Sequence, residues 1–160
     1  WLMPGRINPL KLDRRPAPAE ARLEMCRLVA RNIPGAFVCD LEMLLPEPSF
    51  TIVTLRELNR QNPDCRFSLL IGSDNWELFH LWREHDEILA NHSVIIYPRP
   101  GHKVDADSLP DGVTLLCGDL PQTVMSSTFA RKAIAEKCNM NFFLPTEVMN
   151  YIENNQLYRK

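Results

Sequence analysis

The constraint that most narrows the fold is a run of apolar residues that stops dead at a glycine. In "RFSLLIGSDN" the residues Phe67 to Ile71 are almost continuously apolar, and the pattern breaks at Gly72 into polar residues. A short unbroken apolar run predicts a strand buried on both faces, not the alternating strand of a sheet with one wet side. Shorter runs of the same kind recur at Trp1–Pro4, Ala36–Asp40, Ser93–Pro98 and Val113–Cys117. Between them lie stretches with helical spacing. Ala19–Asn32 carries Leu23, Cys26, Val29 and Ala30 on one face, and Phe50–Gln61 carries Ile52, Leu55 and Leu58. A Trp-rich helical segment follows Gly72. A helix opens near Ser126 with Phe129, Ala130, Ala133 and Ile134 inward, and a last one has Pro145 near its start and carries Val148, Met149 and Ile152. Strands alternating with helices predict an α/β fold, a doubly wound parallel sheet of Rossmann-like type.

Such sheets bind ligands beyond the carboxyl ends of their strands, so the loops carry the functional expectations. They are the loop after Pro4, the loop after Asp40, Gly72–Asn75 and Arg99–Gly101, all expected on the edge where the helix at Ser126 starts. With 160 residues the chain is expected to form a single domain, residues 1–160. A net charge of -2, from 18 basic and 20 acidic residues, excludes general nucleic-acid binding through a basic surface. No apolar run is long enough for a membrane span. The five cysteines are scattered without a C-x-x-C pair, so neither a zinc site nor a disulfide framework is expected and a reduced, cytoplasmic protein is. Cys39 and Cys117 read as reduced core residues. His80 and His85 are five apart, which would put them on different sides of a helix, and with His92 and His102 they are assigned structural or surface roles.

Each loop residue has two readings. Gly72 would let a ligand or another backbone come close, and Asp74 could accept from ribose hydroxyls or simply cap a helix. Arg99, between two prolines, could fork onto a phosphate or sit in solvent. Trp82 could stack on a planar ring or belong to the core. Lys11 could reach a phosphate or be an ordinary surface lysine. In "TVMSSTFARKAI" three hydroxyls, Ser126, Ser127 and Thr128, precede the helix, although one suffices as a cap. No acid follows at the third position from any of them, and Arg131 stands in the first turns instead. Unpaired N–H groups, hydroxyls and an arginine together make an anion site.

In order along the chain these pieces resemble the nicotinate-nucleotide adenylyltransferases, of the nucleotidyltransferase α/β-phosphodiesterase superfamily. The segment from Pro4 to Lys11 echoes the family's proline-rich loop, and Arg22 and Met25 match its R-x-x-M helix. "PSFT" (Pro48–Thr51), Phe67–Asn75, Trp82–Leu89, "RPG" (Arg99–Gly101) and "MSSTFAR" (Met125–Arg131) follow. "FLPTEVMNYIENNQLY" resembles its carboxyl-terminal segment. The resemblance implies adenylyl transfer from ATP to nicotinate mononucleotide, with Lys11 and Arg131 as catalytic groups. It implies ATP contacts at Gly72, Asp74, Arg99, Ser126, Ser127, Thr128 and Arg131. It implies acceptor contacts at Thr51, Trp82 and Arg83, the last through its backbone, since the family usually has tyrosine there. Mg²⁺ would travel on the ATP phosphates, with no metal ligands from the protein. Partners would be these small molecules, with a homo-oligomer possible.

The family's first strand, with its glycine-rich motif and two phosphate-holding histidines, is absent from this chain, and none of its four histidines fits that motif. The expectation is an N-terminally incomplete domain, part of a longer gene product or a truncated protein, that does not turn over substrates usefully by itself. Alternatives are a phosphopantetheine adenylyltransferase-like enzyme, a catalytically dead nucleotide-binding module, and a structural subunit.

Overall fold

A computed structural model describes residues 1–5, 17–116 and 125–159. In chain order the elements are α1 (Ala19–Ala30), α2 (Leu41–Leu44), α3 (Thr51–Gln61), β1 (Leu69–Gly72), α4 (Ser73–Trp76), a 3₁₀ turn (Phe79–Leu81), α5 (His85–Asn91), β2 (Val94–Tyr97), a second 3₁₀ turn (Ala106–Ser108), β3 (Val113–Leu115), α6 (Ser127–Ala135) and α7 (Thr146–Asn154). They form two compact units, one of Trp1–Ser49 with Met125–Lys160, the other of Phe50–Val124.

The second unit holds the sheet. β1, β2 and β3 lie side by side in that order, all parallel, as the unbroken apolar runs require. In register, Leu69 faces Val94, Ile71 faces Ile96 and Gly72 faces Tyr97, so β1 and β2 end together. Val94 and Ile96 are fully buried, as is Ile88 of α5, and Ile71, Phe79, Ile52, Leu55 and Leu58 are buried too. Leu70, on the other face of β1, is exposed, so among the described residues this strand is buried on one face and not on both as its apolar run suggested. The strand expected from Phe67 begins two residues later, at Leu69. His92 explains the shortening. The Phe67 carbonyl can only accept, so the His92 Nδ1–H donates to it at 3.1 Å, and Nε2 faces Asn59 Nδ2 at 3.4 Å. This buried histidine is structural, and it engages the carbonyl just before the ladder.

The other unit is helical, with one rung of parallel pairing. Leu2 N–H donates to the Phe37 carbonyl at 2.7 Å, and Cys39 N–H donates back to Leu2 at 3.0 Å. The strand-like run Ala36–Asp40 is reduced to this bridge. α1 packs against α7. Ala133, Ile134, Met140, Val148, Met149 and Ile152 form a buried cluster against which Met25, Leu28 and Val29 pack. The inward face of α1 is therefore broader than its expected stripe, with Ala21 and Leu23 the buried pair. Arg22 donates through Nε to the Ala17 carbonyl at 3.0 Å and through Nη1 to that of Gly5, and burial lowers its pKa.

Both carboxyl-terminal helices end in the same motif without its usual glycine. After α6, Cys138 N–H reaches the Ala133 carbonyl and Lys137 N–H that of Ile134, with Lys137 at φ 59. After α7, Leu157 N–H reaches Ile152 and Gln156 N–H reaches Glu153, with Gln156 at φ 52. These are Schellman closures, in which a left-handed non-glycine residue is strained. Gln156→Gly is expected to raise stability by up to about 1 kcal/mol in urea unfolding, whereas Ile152→Ala in the same helix should lose about 2–5 kcal/mol.

Candidate functional site

The joint ends of β1 and β2 make the first cluster. Ser73, fully buried, turns its hydroxyl to accept the Arg99 N–H at 2.9 Å. That bond draws the two loops together just past the last rung of the ladder. Arg99 Nε then lies 3.5 Å from Asp74 Oδ1, an ion-pair distance too long for a good hydrogen bond. Asp74 Oδ1 is buried and accepts no hydrogen bond, although it is a carboxylate oxygen. A buried acceptor of that kind needs a donor, and a ligand hydroxyl would supply one. The capping alternative is not what the structure shows, because α4 is preceded by Gly72 and Asp74 sits inside its turn. Arg99 is likewise no solvated loop arginine.

Gly72 is required here by space, since its φ of -75 is open to any residue. A Cβ on it would lie 2.3 Å from Asp74 Oδ1 and 2.7 Å from Arg99 Cδ. The "RPG" turn is held by Gly101 at φ 84 and by His102, whose Nδ1–H donates to Glu77 Oε2 at 2.8 Å. Sequence reasoning singled out Gly72, Asp74 and Arg99 but passed over Ser73. A small hydroxyl residue just past an apolar strand, where the neighbouring strand also ends, was the available signal.

A second cluster in the same unit surrounds the start of α3. Thr51 is its first residue, where N–H groups have no carbonyl one turn back. Phe50 precedes it, and the Arg83 guanidinium carbon stands 5.0 Å from the Phe50 ring centroid. Trp82 is half-buried against Phe79, ring centroids 5.3 Å apart, and Phe79 in turn stacks on Trp76 at 5.1 Å. Trp82 thus keeps part of its surface free while Phe79 supplies the core contact. The expected single Trp-rich helix is instead broken, because Glu84 sits at φ 52 between the 3₁₀ turn and α5. His80 and His85 therefore lie on different elements, and their helical spacing loses its meaning. Arg56 of α3 donates to Glu84 and to both oxygens of Glu87. The hydrogen bond from Arg56 lowers the Glu84 pKa, with burial opposing and Arg83 adding to it. The folded carboxyl is thus the stronger acid, so this link is intact above the ordinary glutamate range and lost as pH falls through the lowered value.

The third cluster belongs to the helical unit. Ser126 is the cap of α6, its hydroxyl accepting the Phe129 N–H at 3.1 Å. Ser127 and Thr128 are exposed on the first turn, and Arg131 Nη2 reaches Thr128 Oγ1 at 3.3 Å. One hydroxyl caps, and two stand beside an arginine with no acid in the turn. Phe129 does not join the core as its spacing suggested. It is 45% exposed and meets Phe143 edge-on. Lys11 and Cys117 lie outside the described residues.

Residues 1–152 match the cytidylyltransferase-like family. Probable nicotinate-nucleotide adenylyltransferases from Bacteroides fragilis and Porphyromonas gingivalis are each 39% identical to this chain, over 95% and 91% of it and 75% and 73% of their own lengths. This chain belongs to the nicotinate-nucleotide adenylyltransferase family. Its fold is shared by the nicotinic acid mononucleotide adenylyltransferase of Plasmodium falciparum, solved with NaAD, at a TM-score of 0.77 and 20% identity over 99% of this chain and 81% of that one. The match runs through all three clusters, so the family assignment rests on more than one motif.

Gly72→Ala is expected to force Asp74 and Arg99 apart, costing about 1–3 kcal/mol of stability and weakening ATP binding together. Chemical denaturation and calorimetry on one preparation check both. Ser126→Ala should remove only the cap, about 0.5–2 kcal/mol.

Proposed function

We propose that this chain transfers the adenylyl group of ATP to nicotinate mononucleotide, giving deamido-NAD and pyrophosphate in NAD synthesis, and that it does so in the cytoplasm on small-molecule substrates. A phosphate oxygen of the mononucleotide attacks the α-phosphorus of ATP. The bond from that phosphorus to the bridging oxygen breaks, and pyrophosphate leaves with the electron pair. No covalent enzyme intermediate is needed.

The observation that carries this reading, beside the family, is the buried Asp74 oxygen without a hydrogen bond at a strand end. A ribose hydroxyl of ATP suits it, with Gly72 leaving room and Arg99 adding positive charge. At α6 the exposed hydroxyls of Ser127 and Thr128, the first-turn N–H groups behind the Ser126 cap, and Arg131 suit the triphosphate. Lys11 is assigned a phosphate contact. Thr51, Trp82 and Arg83 are assigned to the acceptor ring, with Trp82 as the stacking face. Mg²⁺ would supply charge neutralisation to the triphosphate and arrive on it. Among the described residues no three His, Cys, Asp or Glu side chains gather into a cage for a metal. Catalysis by these residues is positioning plus stabilisation of phosphate charge.

Arg131→Ala should weaken ATP by about 1.5–3 kcal/mol, the worth of a hydrogen bond to a charged group, with little change in melting temperature. Unchanged ATP affinity in calorimetry would return α6 to an ordinary capped helix. Trp82→Ala should weaken nicotinate mononucleotide by up to about two decades and spare ATP, the scale of losing a ring stack. Trp82→Phe should recover part of the loss. Equal weakening of both ligands with a loss of about 3–5 kcal/mol in stability would make Trp82 a packing residue instead.

A further inference from the structure

Four hydrogen bonds close a ring around the strand-end cluster. The Arg99 N–H donates to the Ser73 hydroxyl at 2.9 Å, and the His102 N–H donates to the Arg99 carbonyl at 3.2 Å. An ionised Glu77 can only accept, so the His102 Nδ1–H donates to its Oε2 at 2.8 Å. The Glu77 N–H completes the circuit on the Ser73 carbonyl at 3.1 Å. Asp74 lies on one arm of this ring, between Ser73 and Glu77, and Arg99 lies on the other. Three of the links use backbone groups, and Ser73 is fully buried, so that part of the ring is fixed by the sheet and by α4. The fourth joins two side chains that are 40% and 45% exposed. A solvated pair of that kind adds little to stability. Its effect here is geometric. The bond at Ser73 is a single attachment, about which the turn from Arg99 to His102 would swing. A second attachment, at His102, removes that freedom. Arg99 Nε is thereby kept 3.5 Å from Asp74 Oδ1, where a Cβ on Gly72 would crowd both.

We propose that His102 and Glu77 are positioning residues for nucleotide binding, a latch between the "RPG" turn and α4 that sets Arg99 against Asp74. The inference rests on the ATP reading of this edge and adds to it two residues that have no assigned ligand contact. They act through Arg99. A histidine suits the task because its rigid ring carries the N–H on a short stem. The turn is then held at one distance from α4, where the flexible stem of a lysine would allow many.

The test is calorimetric affinity for ATP and for nicotinate mononucleotide, with urea unfolding alongside. It is run on the parent protein, His102→Ala, Glu77→Ala, the double variant and His102→Asn. Each single alanine is expected to weaken ATP about three- to tenfold while the mononucleotide affinity and the urea midpoint stay where they were. The double variant should lose no more than either single one, because a latch can be opened only once. His102→Asn keeps an N–H donor close to the Nδ1 position and should recover part of the loss. A pair that serves only to hold the fold predicts a lower urea midpoint with both ligands weakened together. That pattern overturns the inference and leaves the adenylyltransferase reading intact, as does unchanged ATP affinity in both single variants or losses that add in the double. A parent protein that binds no ATP overturns the two together.

Discussion

The hydrogen bond from the Arg99 N–H to the Ser73 hydroxyl is the constraint on which the strand-end site depends. Parallel strands part after their last rung, and a buried N–H beyond it has no carbonyl to meet. Ser73 meets that need from a fully buried position, so β1 and β2 leave the sheet together instead of splaying. Everything else at this edge follows. Arg99 is brought back over Asp74, a side chain at Gly72 would crowd both, and Asp74 Oδ1 accepts no hydrogen bond among the described residues. An alanine at Ser73 would keep the volume nearly unchanged and still remove the hydroxyl that accepts the Arg99 N–H.

The α6 start follows a different logic. A helix of this length would be more stable with an acid in its first turn, worth roughly 0.3–1 kcal/mol against the positive end. The chain forgoes that gain and carries Arg131 just past the first turn, after a cap by Ser126 that leaves two further hydroxyls exposed. An acid in that turn would repel any phosphate, so its absence fits the proposed triphosphate contact.

Legibility in the sequence has a physical cause, and so do the misses. Strands and helices were legible because burial imposes a period, as the apolar run ending at Gly72 and the triplet Ile52, Leu55 and Leu58 show. The α6 motif was legible because caps act over three or four residues. Ser73 was not, because its partner is Arg99, on a different strand. Neither was the break at Glu84. No glycine or proline marks it, and the left-handed residue is held there by Arg56 on a distant helix. Phe129 failed for the opposite reason. Its spacing fits the apolar face, but Ala130, Ala133 and Ile134 supply the core contacts of α6 and the Phe129 ring meets Phe143 instead.

Local and non-local contacts therefore divide between the two assigned ligands. The groups assigned to phosphate sit on a helix cap, where short-range backbone geometry fixes them. Those assigned to the acceptor ring sit on an irregular segment fixed by side chains from α3. An ion pair on the surface contributes little by itself, but Arg56 engages two carboxylates at once and Glu84 two arginines, so each side chain is ordered by a neighbour already ordered. That network ties the Trp82–Glu84 segment to α3, while Trp82 itself packs on buried Phe79. The exposed ion network orders this irregular segment from α3, whereas Ser73 and Gly72 order the strand ends from within the sheet.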